Sequence, residues 1–449
     1  MREGQACGWG WTKAQLTAVT AWHGYDVNVD QYSQEVRLAS TKGGFLDWTV
    51  GAYYLHEDLR SNLRYQFYSD ASTFVIASGV PSSVLNGVEY DKDGRLKIDS
   101  IAGFGQATAH LTGKLSITGG VRYTNETKNV NVAGYSLGGA DLSSSATLAG
   151  YRAATLASLG GTSAALGGNY GLSGRANLGS FAWLVNPAWK VNDNILLYAS
   201  ASYGEKSGAA NTAASAAQAS VVLTRPEKSQ DFEGGIKTTW AGGKLIANLN
   251  LYNNTITDYQ DAQVDPNNAG IGSYLANVGK VRLRGFELET SVKPLRGVSL
   301  DFNAAYNDAK YLSYNDAPAP VEYQSVATTL PLTGYQLRGA PKWTVQGGAS
   351  LDEPVGHDLR FTAYANTSWK SKQALINPRS IYGWQGAYAV VNAGIGIKAA
   401  NDSWSAVVWS KNLFDQRYAN TFAAANSLNP IVEVMGDPVS YGITLSKRF

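Results

Sequence analysis

Apolar residues alternate with small or polar ones along most of this chain, and this period of two is the feature that most restricts its fold. In one run, Val298, Leu300, Phe302, Ala304 and Tyr306 alternate with small or polar neighbours. Similar runs occur at 231–240, 245–251, 286–292 and 391–398. Successive side chains of a strand point to opposite faces, so the pattern predicts strands with one apolar face. Helical periodicity is hard to find, and the chain is predicted to be all-β.

The lengths of these runs and of their connections predict a barrel. The runs last about 10 to 15 residues, whereas soluble strands average about 5 to 6 and tilted membrane-crossing strands need about 9 to 11. Tight turns are expected near 41–44, 112–114, 191–194, 241–243, 293–297, 352–357 and 399–402. The longer segments between them are expected near 68–94, 133–177, 209–226, 260–280, 312–337, 372–386 and 418–436. Strict alternation of short and long connections is typical of outer-membrane barrels, with short periplasmic turns and long extracellular loops.

A count of the runs gives the size of this barrel. With a first hairpin at 14–26 and 31–40, the runs make about sixteen strands, an even number as in bacterial single-chain barrels. In hydrocarbon every backbone N–H and C=O needs a partner, so a membrane sheet cannot leave an edge. A soluble β-repeat protein such as a propeller would alternate in the same way. Strand length and the asymmetry of the connections favour an antiparallel transmembrane β-barrel over that alternative.

The amino-acid composition argues against several classes of function. The 449 residues carry 37 basic and 35 acidic side chains, so no bulk charge favours a nucleic-acid partner. The single Cys7 excludes an internal disulfide framework and a cysteine zinc site. The 26 Tyr, 12 Trp and 12 Phe suit a membrane–water interface. No apolar stretch is long enough for a transmembrane helix, and the first residues resemble no secretory signal, so we expect the natural N-terminus to lie further upstream.

Two low-complexity segments belong to the predicted long connections. Segment 133–174 is rich in Ala, Gly, Ser and Leu and almost free of charge, and a short helix is expected around Leu148 to Leu159. Segment 209–220 is similar. Neither predicts a second folded domain, so residues 1–449 are interpreted as one partial barrel domain.

Five stretches resemble TonB-dependent outer-membrane receptors and follow one another in the order of that family. They are SQEVRLAS with FLDWTVGAYYLHED, RPEKSQDFEGGIKTTW, VRLRGFELET, GAPKWT and SKNLFDQRYAN, between Ser33 and Asn420. The last strand, SYGITLSKRF, places Tyr441, Ile443 and Leu445 in phase before the terminal Phe449. These four residues resemble the family's signal for the barrel-assembly machinery, although Lys447 departs from the apolar phase.

The resemblance implies a 22-stranded barrel, of which about sixteen strands would be present here. It also implies a globular plug, a TonB box and about six strands that precede this sequence. It further implies active uptake of a large scarce nutrient, most often a ferric siderophore, with no cofactor. The implied partners are outer-membrane lipid and lipopolysaccharide, the barrel-assembly machinery and, through the plug alone, the inner-membrane TonB complex. Nucleic acid is not among them.

Candidate ligand contacts are aromatic residues and one arginine in the predicted long connections: Tyr68, Tyr323, Tyr335, Arg379 and Trp384. Such side chains suit a bulky, aromatic or anionic ligand such as an iron chelate. The competing interpretation places each of them in the outer aromatic girdle of the barrel.

Other residues that could suggest chemistry have simpler interpretations. The four histidines are dispersed and show no metal-ligand spacing. Glu287 and Glu289 could imitate a catalytic pair, but a water-lined wall carries many carboxylates, and no nucleophile is paired with a histidine. Gly394 and Gly396 lie in an alternating strand, where glycine allows inward side chains to pack. No catalytic or metal site is therefore predicted. A passive plugless pore, an outer-membrane enzyme and a non-functional barrel fragment are the alternatives to a receptor.

Overall fold

The computed structural model describes residues 21–41, 43–76, 79–158, 170–212, 222–263, 274–323, 325–423 and 432–448. The strands in chain order are β1 (Ala21–Ala39), β2 (Leu46–Phe67), β3 (Val88–His110), β4 (Leu115–Gly138), β5 (Tyr170–Asn192), β6 (Ile195–Lys206), β7 (Glu227–Trp240), β8 (Leu245–Gln263), β9 (Tyr274–Val292), β10 (Val298–Ser313), β11 (Ala317–Pro318), β12 (Thr329–Leu330), β13 (Trp343–Pro354), β14 (Leu359–Lys370), β15 (Gln373–Ala374), β16 (Trp384–Gln385), β17 (Tyr388–Ala399), β18 (Trp404–Lys411), β19 (Ala419–Ala423), β20 (Val432–Met435) and β21 (Ser440–Lys447). The helices are α1 (Ala71–Val75) and α2 (Ala146–Ser158), with short 3₁₀ helices at Ser82–Val84, Ala241–Gly243 and Val321–Tyr323.

Among the described residues, fifteen strands form one antiparallel sheet whose members pair in the order in which they follow one another along the chain. The order is β1 to β10, then β13, β14, β17, β18 and β21. The remaining six strands form three two-stranded sheets inside long connections. The all-β antiparallel prediction is confirmed. The predicted first hairpin at 14–26 and 31–40 is wrong, because residues 21–39 form the single strand β1, paired without interruption with β2.

Short and long connections alternate along the whole sheet, as predicted. Two residues join β5 to β6, whereas residues 314–342 join β10 to β13. The expected borders of two long connections are wrong, because β3 begins at Val88 and β4 continues to Gly138. These strands are 23 and 24 residues long, about twice what a bilayer crossing needs. Their pairing therefore continues beyond the membrane. The expected helix near Leu148 is α2.

The register aligns the apolar positions of neighbouring strands on one face, here called the outer face. Ile236 of β7 is opposite Leu249 of β8, and Leu249 is opposite Leu288 of β9. Leu288 is in turn opposite Ala304 of β10. Many large apolar side chains of this face are exposed, among them Leu251 at 55% and Ile395 at 59%. A broad exposed apolar surface of this kind is what a barrel presents to lipid.

The apolar band has a sharp upper border on β2 and β3. Along β2 the outer face is apolar or aromatic from Leu46 to Tyr54, a span of nine residues that matches a membrane crossing. Directly beyond it, His56 Nδ1 lies 2.7 Å from Asp99 Oδ1. Further along the same face, Arg95 Nη2 lies 2.6 Å from Asp58 Oδ2. Charged pairs belong in water or headgroups, so this border marks the edge of the hydrocarbon.

The first and last strands of the sheet each pair on one side only. Among the described residues, β1 pairs with β2 and β21 pairs with β18, and no pairing joins β1 to β21. Most residues of β21 are exposed. The described sheet thus has two free edges. No helix in the described ranges is long and apolar enough to cross a membrane.

Candidate functional site

The five predicted ligand contacts all lie in long connections, beyond the ends of the sheet strands. Tyr68 follows the last residue of β2. Tyr323 and Tyr335 lie in the connection between β10 and β13, here called connection A. Arg379 and Trp384 lie in the connection between β14 and β17, here called connection B. None of the five belongs to a strand of the fifteen-stranded sheet.

Connections A and B are bound to each other by hydrogen bonds. The backbone N–H of Ile381 donates to Glu322 Oε1 at 2.9 Å. Asn377 Nδ2 donates to the carbonyl of Pro318 at 2.8 Å. Gly339 N–H donates to the carbonyl of Ala374 at 2.7 Å. Four of the five predicted contacts therefore share one platform built from two neighbouring connections.

Arg379 and Tyr335 form the first of two cation–aromatic pairs on this platform. The Arg379 guanidinium lies 5.6 Å from the centre of the Tyr335 ring. Arg379 Nη1 also donates to the carbonyl of Pro331 at 3.4 Å, which ties connection B to connection A again. Tyr335 is 40% exposed. An accessible guanidinium that stacks on a ring can bind an anion through its remaining N–H groups.

Lys372 and Trp384 form the second pair. Lys372 Nζ lies 4.7 Å from the centre of the Trp384 ring. The register of β15 with β16 places Ala374 opposite Trp384 and brings Lys372 close to the indole. Lys372 was missed by sequence reasoning, since strands of two residues leave no readable alternation. The platform thus carries two cation–aromatic pairs, one centred on Arg379 and one on Lys372.

A packed base holds connection A in place. Asp261 of β8 is 5% exposed and accepts hydrogen bonds from Arg338 Nη2 at 2.8 Å and from the Tyr311 hydroxyl at 3.1 Å. The Tyr314 hydroxyl donates to the carbonyl of Ala262. Burial raises the pKa of Tyr314, so its hydroxyl remains a neutral donor. Apolar neighbours, including Val281 at 0% exposure, complete the base. This base was not predicted, because its members come from β8, β9, β10 and connection A.

Tyr323 lies on the platform but outside the two cation–aromatic pairs, and Tyr68 lies in another connection. Tyr323 ends a 3₁₀ helix, and its N–H donates to the carbonyl of Pro320 at 2.8 Å. The Tyr68 hydroxyl donates to Gln66 Oε1 at 3.2 Å. Tyr68 lies in the connection between β2 and β3, whose apolar cluster around Leu85 also includes Leu156 of α2. The structure thus places Tyr335, Arg379 and Trp384 in the two cation–aromatic pairs, whereas Tyr68 lies in a separate connection.

A further connection, between β6 and β7, packs on the face opposite the outer one, here called the inner face. Val222 contacts Val130 and Val132, whose side chains alternate with those of the outer face on β4. Lys128 Nζ donates to the carbonyl of Gly208 at 2.5 Å. Asn211 exchanges hydrogen bonds with the backbone of Leu275 at 3.0 and 3.1 Å. The described ends of this connection therefore lie over the inner wall.

The residues of the predicted assembly signal lie on the outer face of β21. Tyr441, Ile443 and Leu445 are 81%, 69% and 77% exposed, and Ile443 is opposite the apolar Val408. Lys447 is opposite Trp404 on the same face. Phe449 lies outside the described residues. Recognition by the barrel-assembly machinery stays a prediction.

The residues with simpler interpretations make ordinary contacts with their neighbours on the sheet. His56 and His110 each contact one aspartate, Asp99 and Asp47 respectively. Lys237 lies 5.6 Å from the centre of the Tyr198 ring on the inner face. Within the described ranges, no group of three or more His, Cys, Asp or Glu side chains could hold a metal ion. A Cβ on Gly394 would meet the Tyr364 ring, so this glycine allows an inward aromatic ring to pack, as expected.

Comparison with known proteins identifies the family that the sequence motifs resemble. Residues 8–413 match the family model described as TonB dependent receptor-like, beta-barrel. The ferric-pyoverdine M114 receptor PbuA of Pseudomonas sp. (strain M114) is 30% identical over 227 residues, which cover 50% of this chain and 25% of that receptor.

Solved structures show the same fold. The ferric yersiniabactin uptake receptor FyuA from Yersinia pestis superposes with a TM-score of 0.70 at 17% identity, covering 95% of this chain and 55% of FyuA. The siderophore receptor PiuA from Acinetobacter baumannii gives a TM-score of 0.63 at 16% identity, covering 94% of this chain and 56% of PiuA. The chain therefore spans about half the length of these solved receptors.

Proposed function

The chain belongs to the TonB-dependent receptor-like β-barrel family, and from this we propose that it forms the barrel wall of an outer-membrane receptor that actively takes up a ferric siderophore. The observation that carries the proposal is the platform of connections A and B, which stands beyond the lipid-facing band and presents Arg379, Lys372, Tyr335 and Trp384. Siderophore complexes are large, and many are anionic or aromatic, so two cations beside two rings suit such a ligand. The named relatives that bind ferric siderophores support the substrate class.

The two free sheet edges support further strands in the complete barrel. In hydrocarbon the unpaired N–H and C=O groups of β1 and β21 each cost free energy, so an edge is not stable there. We expect additional strands to pair with both edges. A plug inside the completed wall would contact the TonB complex of the inner membrane. When that complex moves the plug, ligand bound at the platform would pass through the barrel.

Loss of ligand contacts tests this function. Arg379→Ala and Trp384→Ala should each weaken binding of the ferric siderophore about tenfold or more, because truncating an arginine or tryptophan hot spot costs ~2 kcal/mol. The measurement is binding of radiolabelled ferric catecholate, hydroxamate and carboxylate complexes to cells that express the receptor. Arg417→Ala is the control, since that arginine is exposed in the long connection between β18 and β21, outside connections A and B. Equal binding by all three variants would contradict the site.

Uptake in cells without the TonB complex distinguishes a receptor from a passive pore. An active receptor still binds its ligand at the surface of such cells but imports none of it. A passive pore would import radiolabelled iron complexes with or without TonB, and that result would overturn the proposal.

A further inference from the structure

Arg338 of connection A is an exposed cation that a buried carboxylate holds in place. Its Nη2 donates to Asp261 Oδ1 at 2.8 Å. The side chain of Arg338 is 56% exposed, whereas that of Asp261 is 5% exposed. Asp261 also accepts hydrogen bonds from the Tyr311 hydroxyl at 3.1 Å and from the backbone N–H of Ala262 at 2.8 Å. These contacts fix the carboxylate, which fixes the guanidinium in turn.

The register places this ion pair on the inner side of the wall. Ala304 of β10 lies on the outer face, so Tyr311, an odd number of positions further along, lies on the inner face. Gln336 is opposite Lys310, which belongs to the outer face. Alternation then puts Tyr335, the neighbour of Gln336, on the inner side. The inner side therefore carries both the ion pair and the Tyr335 ring of the platform.

Arg338 also lies beside the junction of connections A and B. The chain turns at the next residue, Gly339, whose φ of +69° glycine adopts without strain. The N–H of Gly339 donates to the carbonyl of Ala374, and Ala374 is opposite Trp384. Arg338 is therefore at the inner border of the platform, next to the point where the two connections meet.

We propose that Arg338 is a further ligand-binding residue of the platform, that Asp261 is its positioning residue, and that the ligand is an anionic ferric complex. This inference rests on the proposed function and adds the charge class of the ligand. An arginine that a carboxylate already holds loses less side-chain entropy on binding than a freely moving one. Its Nη2 binds Asp261, and the other N–H groups of the exposed guanidinium can donate to an oxyanion.

The charge of the surrounding connections agrees with an anionic ligand. Connections A and B carry more basic than acidic side chains, namely Arg338, Lys342, Lys372 and Arg379 against Asp316 and Glu322. One of these carboxylates, Glu322, already accepts a hydrogen bond from the backbone N–H of Ile381. A surface with an excess of one charge attracts ligands of the opposite charge.

Ligand binding to cells that express the full receptor but lack the TonB complex tests this assignment. The probes are the anionic tris-catecholate and the uncharged tris-hydroxamate complexes of radiolabelled iron(III). Arg338→Gln alone would leave the buried Asp261 without its cation, so the decisive variant combines Asp261→Asn with Arg338→Gln, which keeps a neutral pair. Its affinity for the anionic complex should fall about tenfold, which corresponds to ~1.4 kcal/mol. Its affinity for the uncharged complex, which the unchanged receptor should bind more weakly, should stay the same.

Two further variants separate positioning from general effects. Asp261→Asn alone should lower the affinity for the anionic complex about threefold, because the guanidinium is then held less firmly. The same change should add no loss to Arg338→Gln, since Asp261 acts through Arg338. Arg284→Gln is the matched control and should bind like the unchanged receptor. Arg284 Nε lies 3.2 Å from Asp308 Oδ2, and the two side chains are 55% and 6% exposed, but this pair is on the outer face.

Several outcomes would overturn the assignment. Unchanged affinity of the double variant for the anionic complex would exclude Arg338 from the ligand site. An equal fall for both complexes, together with lower resistance to trypsin, would show that the ion pair only supports connection A. Tighter binding of the uncharged complex by the unchanged receptor would exclude an anionic ligand. These three results leave the proposed function intact, whereas binding of no ferric complex by the unchanged receptor would remove that function and this inference with it.

Discussion

Arg152 shows how one side chain holds two long connections together. Its Nε donates to the carbonyl of Val84 at 2.6 Å and its Nη2 to that of Ser83 at 2.8 Å. Its Nη1 donates to the carbonyl of Ala140 at 2.9 Å. Arg152 is 9% exposed, so these carbonyls have little access to water. A planar guanidinium can satisfy several acceptors at fixed angles, which lysine cannot do.

Replacing Arg152 should loosen both connections without unfolding the sheet. In Arg152→Ala, three carbonyls lose their donor, and each hydrogen bond to a charged group contributes about 1.5 to 3 kcal/mol. We expect the free energy of local opening at residues 82–87 and 139–142 to fall by about 3 kcal/mol. This is less than the three hydrogen bonds contribute together, because water will enter and bind the freed carbonyls. Hydrogen exchange of these segments measures the effect. Arg152→Lys should restore part of the protection, and unchanged exchange in Arg152→Ala would contradict this role.

At the scale of the strand, the inner face pairs tyrosines with glycines on the neighbouring strand. Tyr364 of β14 is opposite Gly394 of β17, and a Cβ at Gly394 would lie 2.5 Å from the Tyr364 ring. Tyr198 of β6 covers Gly235 of β7 in the same way. An aromatic ring over a glycine fills the space that the missing side chain leaves.

A larger residue at Gly394 should destabilise this strand pair. In Gly394→Val the Tyr364 ring must leave its position, and overpacking costs about 1 to 3 kcal/mol. The folded and the heat-unfolded receptor migrate differently on a gel. The temperature at which half of the protein is unfolded should be lower for this variant than for the unchanged receptor. Gly204→Val is the matched control, because a Cβ at Gly204 of β6 meets nothing within 4 Å. If the unfolding temperature of Gly204→Val falls as far as that of Gly394→Val, β-branching rather than loss of the ring contact is responsible.

The whole molecule is organised by the difference between its two faces. The outer face carries the apolar band, whereas the inner face carries polar residues such as Asn248, Asn250 and Glu289. Neighbouring strands keep these faces in register across the sheet, because a shift of one residue would expose polar side chains to lipid. The long connections share one end, where connections A and B form the platform.

Charge placed on the two faces should therefore have unequal effects. Ile395→Lys puts an ammonium on the lipid face of β17, where a charge near the membrane midplane costs about 2 to 4 kcal/mol. Gln346→Lys puts the same charge on the inner face of β13, where the exposed side chain remains hydrated. Urea titration of receptor folded in vesicles should show a clear loss of stability for Ile395→Lys and little for Gln346→Lys. The reverse order would show that the faces are assigned the wrong way round.

The amino-acid sequence by itself determined the strands, their faces and the alternation of their connections. These features are local: the alternation from Phe286 to Val292 or from Val391 to Ile397 depends on neighbours along one strand. The sequence also located the predicted contacts in long connections. The ends of the strands were predicted less accurately. The strands β3 to β5 continue past the membrane, and there their sequence has the composition typical of loops.

Only the tertiary structure decided which residues of different strands and connections meet. The Lys372–Trp384 pair, the Asp261 base and the hold of Arg152 on two connections each join residues that are distant in sequence or lie in irregular backbone. The cover of the Tyr364 ring over Gly394 depends on register, which places the two residues opposite each other on neighbouring strands. The physical reason is that alternation specifies which face a side chain lies on, whereas contact depends on strand register and on the path of the connections, and no local pattern encodes either.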